Sequence, residues 1–158
     1  MHSVAALSDI RKPVETGVAY GWSSLALLAG MGPRDGARLV SVDMPYPKMG
    51  AETAVGVVVP EALRDRWTLV REPDRRGLDK AIACQGGRID LAHYDSDKSW
   101  WGRRYGYARL WDALSSGGYF VSDDIQDNLA FAQMVERLGL PFAVTSSGGK
   151  FIGALRKP

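Results

Sequence analysis

The sequence predicts an α/β protein in which helices cover a mostly parallel sheet. Short apolar or β-branched runs alternate with longer segments of helical pattern, and this alternation is typical of such a sheet. The 158 residues are 46% hydrophobic and 24% charged, which is the profile of one compact domain with a sizeable core. Near the end of the chain, a Ser-Ser-Gly-Gly run separates two β-prone stretches and predicts an antiparallel hairpin. We therefore expect a single domain over residues 1–158.

Strands and helices are predicted in alternation from residue 13 onward. The predicted strands are 13–16, 37–43, 68–72, 87–95 and 119–124, followed by the hairpin over 141–155. The predicted helices are 22–31, 60–67, 75–84, 105–118 and 127–140. Proline opens the second of these helices, and glycines close the fourth. Residues 44–59 carry two prolines and two glycines, so they form either a loop or a distorted helix.

Charge and composition exclude several classes of protein. A formal net charge of +2 comes from 20 basic and 18 acidic residues mixed along the chain, so we expect no nucleic-acid partner. Cys84 is the only cysteine, which excludes an internal disulfide and fits a reducing compartment such as the cytoplasm. No stretch approaches the roughly 18 apolar residues of a membrane span, so we expect no membrane attachment.

A glycine-containing turn follows the first predicted strand, where open parallel sheets bind their ligands. Gly17 and Gly21 would let the backbone bend sharply and approach a ligand closely. Glu15 opposes a phosphate in this turn and suits a cationic or amino-bearing ligand instead. Asp43, at the end of the second strand, could accept hydrogen bonds from a ribose diol. The alternative is that the glycines mark an ordinary corner and that Asp43 caps a turn.

Acidic residues cluster after the fourth and fifth strands, in "YDSDKSWW" and "VSDDIQDN". Neighbouring parallel strands bring such ends side by side, where several carboxylates repel unless they are protonated, solvated or bridged by a cation. Mg²⁺ takes oxygen ligands and would resolve the repulsion, with Asp95, Asp123 and Asp124 as ligands. The alternative is that Asp97 and Asp124 cap helices while the other aspartates are solvated.

The stretch "ETGVAYGWSSLALLA" resembles the first motif of the class I S-adenosylmethionine-dependent methyltransferases, particularly the metal-dependent O-methyltransferases, in the form E-x-G-x-x-x-G-[YW]-S. "GARLVSVDM" resembles the family's strand that ends in a ribose-binding acid. The resemblance implies a doubly wound, Rossmann-like fold with seven strands in the order 3-2-1-4-5-7-6, the seventh antiparallel. It also implies S-adenosylmethionine as cofactor. The implied cofactor residues are Glu15, Gly17, Tyr20, Gly21 and Ser23 at the methionine end, Asp43 at the ribose, and Asp95.

The acidic clusters match the same family, which places one Asp after the fourth strand and an Asp-Asn or Asp-Asp pair after the fifth. "DSDK" and "SDD" stand at those positions. The phenol-methylating branch has Asp-Asn and the sugar-methylating branch has Asp-Asp, so Asp124 is similar to the latter. The resemblance thus implies a Mg²⁺-assisted methyl transfer to a hydroxyl of a small molecule, sugar-like or phenolic.

Two residues compete for the catalytic base that removes the hydroxyl proton. Lys98 stands where phenol-specific relatives carry a lysine base, but its ordinary pKa of about 10.4 must be depressed for that role. Asp97 matches the acid proposed as base in sugar-specific relatives and needs no such shift. A third alternative is that neither residue is a base. His93, inside the fourth strand, is expected to be a packed core histidine.

Two other functions compete with methyl transfer. A nicotinamide-dependent oxidoreductase predicts a G-x-G-x-x-G turn, a spacing that this sequence lacks. A binding or scaffold protein that keeps the cofactor fold without turnover is the stronger competitor. Relatives cover the cofactor with a longer N-terminal segment, so a lid here must come from residues 44–58, come from a second subunit of a homodimer, or be missing.

Overall fold

The computed structural model describes residues 1–44 and 53–158, and seven strands within these ranges form one sheet. The strands are β1 (Pro13–Thr16), β2 (Leu39–Val42), β3 (Trp67–Val70), β4 (Ile89–Tyr94), β5 (Leu114–Ser122), β6 (Phe142–Ser147) and β7 (Lys150–Arg156). Their order is β3-β2-β1-β4-β5-β7-β6. The first five strands pair in parallel, whereas β7 pairs antiparallel with both β5 and β6. The predicted fold class, strand order and terminal hairpin are confirmed.

Helices precede or connect these strands. They are α1 (His2–Leu7), α2 (Trp22–Met31), α3 (Glu61–Arg64), α4 (Asp74–Cys84), α5 (Trp100–Ala113) and α6 (Ala130–Leu138), with a 3₁₀ turn at Ile125–Asp127. The prediction of a helix over 22–31 agrees with α2 at both ends. The short helix α1 was not predicted. In the described ranges, no helix is long and apolar enough to cross a membrane.

The boundary between α5 and β5 differs from the prediction of a helix over 105–118. The helix begins five residues earlier because Ser99 caps its N-terminus, with the Ser99 hydroxyl accepting a hydrogen bond from the Gly102 amide at 3.0 Å. The glycines expected to close the helix lie inside β5 instead. A Cβ on Gly118 would lie 2.9 Å from the Asp90 carbonyl oxygen, so glycine permits the close approach of the neighbouring strand.

Two apolar clusters lie on the two faces of the sheet. One packs residues of α4, α5 and α6 against the sheet and includes Leu78, Tyr107 and Phe120. The other packs α1 and α2 against the opposite face and includes Leu27 and Leu39. Because β1 lies in the middle of the sheet, all four of its residues are buried, Glu15 among them. A charged residue in this position needs partners within the protein.

The segment 44–59 falls partly outside the described residues, which resume at Thr53. Its described end lies against the turn after β1, because the Gly56 amide donates to the Ala19 carbonyl at 2.9 Å and the Val58 amide donates to the Tyr20 carbonyl at 3.1 Å. The choice between loop and distorted helix for 44–59, and the lid over 44–58, depend on residues outside the described ranges.

Candidate functional site

The carboxyl ends of four neighbouring strands meet along one edge of the sheet. The residue directly after each strand donates one more backbone hydrogen bond to the neighbouring strand. These donors are the amides of Gly17, Asp43, Asp95 and Asp123, at 2.9–3.1 Å. The turn after β1 and both acidic clusters are therefore neighbours. This arrangement brings together the residues that the sequence placed at separate strand ends.

Close backbone contacts explain the glycines of the turn. Gly17 has φ +78° and Gly21 has φ +94°, in the left-handed region that favours glycine. A Cβ on Gly17 would lie 2.1 Å from the Asp95 carbonyl oxygen, and one on Gly21 would lie 2.8 Å from the Gly56 Cα. The chain thus approaches the loop after β4 at Gly17 and the described end of 53–59 at Gly21. Larger side chains would separate these segments.

The Asp43 carboxylate is hydrogen-bonded to the same turn. Its Oδ2 accepts hydrogen bonds from the Val18 amide at 2.7 Å and the Ala19 amide at 2.8 Å. Ala19 itself has φ +46°, a strained value for a residue with a side chain, and the hydrogen bond helps to hold it. Asp43 therefore shapes the turn through its Oδ2, as the capping alternative predicted.

Glu15 lies beneath the turn and is fully buried. Its Oε2 accepts hydrogen bonds from the Ser24 hydroxyl at 2.5 Å and the Ser41 hydroxyl at 2.8 Å, and its Oε1 lies 3.3 Å from the Nδ1 atom of His93. Burial raises the pKa of Glu15, but His93 and the serine hydroxyls outweigh it, and the net shift is downward. Because the described partners of its carboxylate are protein groups, Glu15 supports the turn from inside. Its expected contact with the cofactor stays a prediction.

His93 joins the turn to the acidic cluster after β5. Its Nδ1 faces Glu15 and its Nε2 lies 3.3 Å from the Asp123 Oδ1, while the ring is only 1% exposed. Burial lowers the pKa of His93, but Asp123 and Glu15 raise it to about 9, so the ring carries a proton at neutral pH. His93 is buried as expected, but it is an ionic bridge and not an ordinary core residue. The β1–β4 register, which pairs Glu15 with His93, is the signal that could have revealed this.

Lys98 lies among the carboxylates proposed as metal ligands. Its Nζ forms an ion pair with the Asp95 Oδ1 and lies 3.0 Å from the Asp124 Oδ2. Lys150, from β7, adds a second ammonium 3.4 Å from the Asp124 Oδ1. Burial lowers the pKa of Lys98, but Asp95 and Asp124 outweigh it, and the net shift is upward. A lysine base needs the opposite shift, so this arrangement holds Lys98 in its protonated form.

Asp97 lies at the start of α5. Its Oδ1 accepts a hydrogen bond from the Ser99 amide at 2.8 Å, and a Cβ on Gly102 would lie 2.1 Å from the Asp97 Oδ2. The residue as a whole is exposed. Asp97 therefore shapes the turn that leads into α5, but the N-cap of the helix is Ser99, so the capping role expected for Asp97 is wrong.

The surface above the turn carries exposed apolar side chains. Tyr20 is 60% exposed and Trp22 is 68% exposed. Met44 and Val57, which flank the residues outside the described ranges, are also exposed. The Ser23 side chain is among the groups that lower the pKa of Glu15. Of the predicted turn residues, Tyr20 thus faces outward while Ser23 faces the buried acid.

Arg103 lies in α5 beside the exposed Arg104 and connects the helix to the turn after β5. The side chain is fully buried, and its guanidinium donates to the Tyr107 hydroxyl at 3.1 Å and to the Asp124 carbonyl at 2.9 Å. Asp124 has φ +52°, so the arginine holds a left-handed residue in place. Nothing in the local sequence pattern distinguishes Arg103 from its exposed neighbour Arg104.

Comparisons with known proteins agree with this architecture. A family described as a methyltransferase domain matches residues 14–125. No curated protein sequence matches the chain. An O-methyltransferase from Bacillus cereus, solved in complex with SAH, has a similar structure, with a TM-score of 0.80, 16% identity, and coverage of 99% of this chain and 78% of that chain.

Two further solved structures are similar. The O-methyltransferase TomG from Streptomyces achromogenes, involved in tomaymycin synthesis and solved with SAM, has a TM-score of 0.74 and 18% identity, covering 99% of this chain and 78% of that chain. CalS11, a TDP-rhamnose 3'-O-methyltransferase of calicheamicin biosynthesis, has a TM-score of 0.74 and 17% identity, covering 98% and 75%. At these identities, the similarity shows a shared fold and nothing finer.

Proposed function

Because the chain belongs to the methyltransferase domain family, whose match spans residues 14–125, we propose that it transfers a methyl group from S-adenosylmethionine to a hydroxyl of a small molecule. The observation that carries this proposal is the shared sheet edge, where the glycine turn lies beside the cluster of Lys98 and its aspartates. A cofactor bound over the turn would point its methyl group toward the cluster. Similar structures were solved with SAH and with SAM, which supports the choice of cofactor.

The proposed cofactor residues divide into two groups. The backbone at Gly17 and Gly21, with Tyr20 above it, would contact the cofactor directly. Glu15 and Asp43 would act mainly by holding the turn, since their side chains bond to protein groups, and Ser23 would act beside Glu15, whose pKa it lowers. Asp43 and Asp95 would also lie close enough to the sheet edge to contact the cofactor.

We place the acceptor hydroxyl beside Lys98 and the aspartates after β5. The Asp-Asp pair after β5 favours a sugar-like acceptor over a phenolic one. Of the two candidate bases, Asp97 suits the role better, because ion pairs hold Lys98 protonated. Lys98 would then orient the acceptor oxygen and stabilise its negative charge.

The residues proposed for Mg²⁺ do not fit a metal site in this arrangement. Lys98 occupies the space between Asp95 and Asp124, and Asp123 is paired with His93. In the part of the chain that the structure describes, no group of three or more His, Cys, Asp and Glu side chains is arranged to hold a metal ion. No step of the proposed reaction is therefore assigned to magnesium.

Calorimetry with S-adenosylmethionine and S-adenosylhomocysteine tests the proposal. We expect both ligands to bind, and we expect Gly17→Ala to weaken binding at least tenfold, because the added Cβ would collide with the Asp95 carbonyl and distort the turn. Gly36→Ala is the matched control. Gly36 has a similar φ of +70°, but nothing lies within 4 Å of its added Cβ.

Failure of the wild-type protein to bind either ligand would refute the methyltransferase proposal. If both bind, a screen of nucleotide sugars and catechols with methyl-labelled S-adenosylmethionine separates an enzyme from a scaffold protein that keeps the cofactor site. Product formation supports the enzyme, and its absence across the screen favours the scaffold. The single domain over 1–158, the homodimer and the cytoplasmic location stay predictions.

A further inference from the structure

We propose that the Lys98 ammonium is the resident cation of the acidic cluster, in the place predicted for Mg²⁺, and that the reaction needs no divalent ion. The inference rests on the proposed function for its catalytic part only. That Lys98 occupies the position expected for a metal ion is argued from the contacts of the cluster alone.

The geometry places one ammonium between two carboxylates from different strand ends. Asp95 and Lys98 belong to the loop between β4 and α5, and Asp124 follows β5. The Lys98 Nζ pairs with the Asp95 Oδ1 and lies 3.0 Å from the Asp124 Oδ2. Asp124 is mostly buried, and Lys98 and Asp95 are half-buried, so solvent screens the pairs less than it would on an open surface. The ammonium thereby offsets the repulsion between these two carboxylates, which a divalent ion was expected to relieve. The buried Asp124 Oδ1 has Lys150 at 3.4 Å but no hydrogen-bond partner among the described residues.

The third expected ligand points elsewhere. The Asp123 carboxylate is paired with His93 in the interior of the protein, where the His93 Nε2 lies 3.3 Å from the Asp123 Oδ1. Among the described residues, the carboxylates of Asp95, Asp123 and Asp124 have cationic partners in Lys98, Lys150 and His93. A divalent ion entering the cluster would meet these positive charges as well as the carboxylates.

The ammonium can also act on the acceptor. Lys98 has three N–H donors, and two are directed at Asp95 and Asp124. The third can bind the acceptor oxygen and stabilise charge as it develops. In the transfer, the methyl carbon leaves the sulfonium sulfur, which keeps the bonding electron pair, and bonds to the acceptor oxygen, whose proton passes to Asp97. The products are S-adenosylhomocysteine, the methyl ether and protonated Asp97.

Manganese titration followed by electron paramagnetic resonance tests this directly, with Mn²⁺ as the probe. The wild-type protein should show no saturable site below millimolar Mn²⁺. Lys98→Met, which keeps an unbranched side chain one atom shorter and removes its charge, should create a site at least tenfold tighter, because Asp95 and Asp124 lose their shared cation. Lys98→Arg should create none. Lys80→Met is the control, since Lys80 forms a comparable ion pair with Glu72 elsewhere on the protein.

The double variant Lys98→Met with Asp95→Asn should lose the gained site, which assigns it to the cluster. A stoichiometric, micromolar Mn²⁺ site in the wild-type protein would overturn the inference, as would equal affinities in wild type and Lys98→Met with both folded by circular dichroism. If Lys98→Met does not fold, the wild-type titration decides alone.

A second measurement distinguishes failure of this inference from failure of the proposed function. Wild-type methyl transfer should change less than twofold between EDTA and added Mg²⁺. A loss of activity in EDTA that Mg²⁺ restores would refute the metal-free reaction and leave the methyltransferase proposal intact. Absence of cofactor binding would refute the proposed function, while the Mn²⁺ titrations would still decide which cation holds the cluster.

Discussion

His93 lies between two carboxylates in the interior of the protein, at 3.3 Å from Glu15 on one side and Asp123 on the other. An isolated charge in this position would be costly, since burial disfavours every ionised form. The imidazolium and its two carboxylates compensate one another. They also connect the residue beneath the glycine turn with the cluster after β5.

The pH dependence of stability follows from the raised pKa of His93. Its contribution is fully present below the ordinary value of 6.5 and is lost as the pH rises through about 9. We expect urea unfolding to show about 3 kcal/mol less stability at pH 9.5 than at pH 6.5. His93→Gln should be less stable at pH 6.5 and should flatten the profile over this window. A wild-type profile as flat as that of the variant would contradict the ionic bridge.

The helix α5 and the turn after β5 depend on each other through Arg103. The side chain leaves α5 and donates to the Asp124 carbonyl at 2.9 Å, while the 3₁₀ turn beyond it contributes Asp127 at 3.5 Å. The Nε atom of Arg103 is buried without a hydrogen-bond partner in the described part of the chain. Burying this unpaired Nε costs free energy of folding. The contact that offsets it is the hydrogen bond that holds the left-handed Asp124 in place.

Removing this connection should destabilise the protein far more than removing its neighbour. Arg103→Ala leaves the Asp124 carbonyl without its buried arginine partner, while the Tyr107 hydroxyl keeps Ser122 as a partner, so we expect a loss of about 3 kcal/mol in urea unfolding. Arg104→Ala, whose exposed guanidinium lies 5.1 Å from the Trp100 ring centroid, should cost about 0.5 kcal/mol. Equal losses for the two variants would show that Arg103 does not hold the turn.

The two ends of the parallel strands carry different kinds of contact. The carboxyl edge carries the glycine turn, Asp43 and the Lys98 cluster, whereas the amino edge carries structural contacts. There, Asp90 accepts hydrogen bonds from the Arg11 and Lys12 amides at 2.7–2.9 Å, and Gln85 donates to the Pro13 carbonyl. Ligand binding at the carboxyl edge should therefore leave the amino edge unchanged.

Hydrogen exchange read by mass spectrometry tests this separation. At S-adenosylhomocysteine concentrations 100 times its Kd, amides in 17–21, at 43 and in 95–97 should exchange up to about 100-fold more slowly. Peptides containing Arg11, Lys12 and Gly86 should exchange at unchanged rates. Protection confined to the amino edge would place the cofactor at the wrong end of the sheet.

Much of this architecture is determined by local sequence. Alternating apolar periodicity predicts the strands and helices, and the bounds of β1 and α2 agree with the prediction to the residue. The carboxyl ends of the predicted strands identify the edge of the sheet where the candidate site lies. Parallel strands run in the same direction, so the turns that follow neighbouring strands are themselves neighbours. The position of the glycine turn and of both acidic clusters needs nothing beyond this reasoning.

Only the tertiary structure decides which charges meet. Glu15 and His93 are 78 residues apart in the chain, and Lys98 and Asp124 come from different strand ends. Periodicity reports which face a residue occupies, but the partner of a charge depends on strand register and side-chain direction across the sheet. For that reason the sequence determined that several carboxylates converge on one edge, whereas the fold assigned a lysine and a buried histidine, where magnesium was expected, to neutralise them.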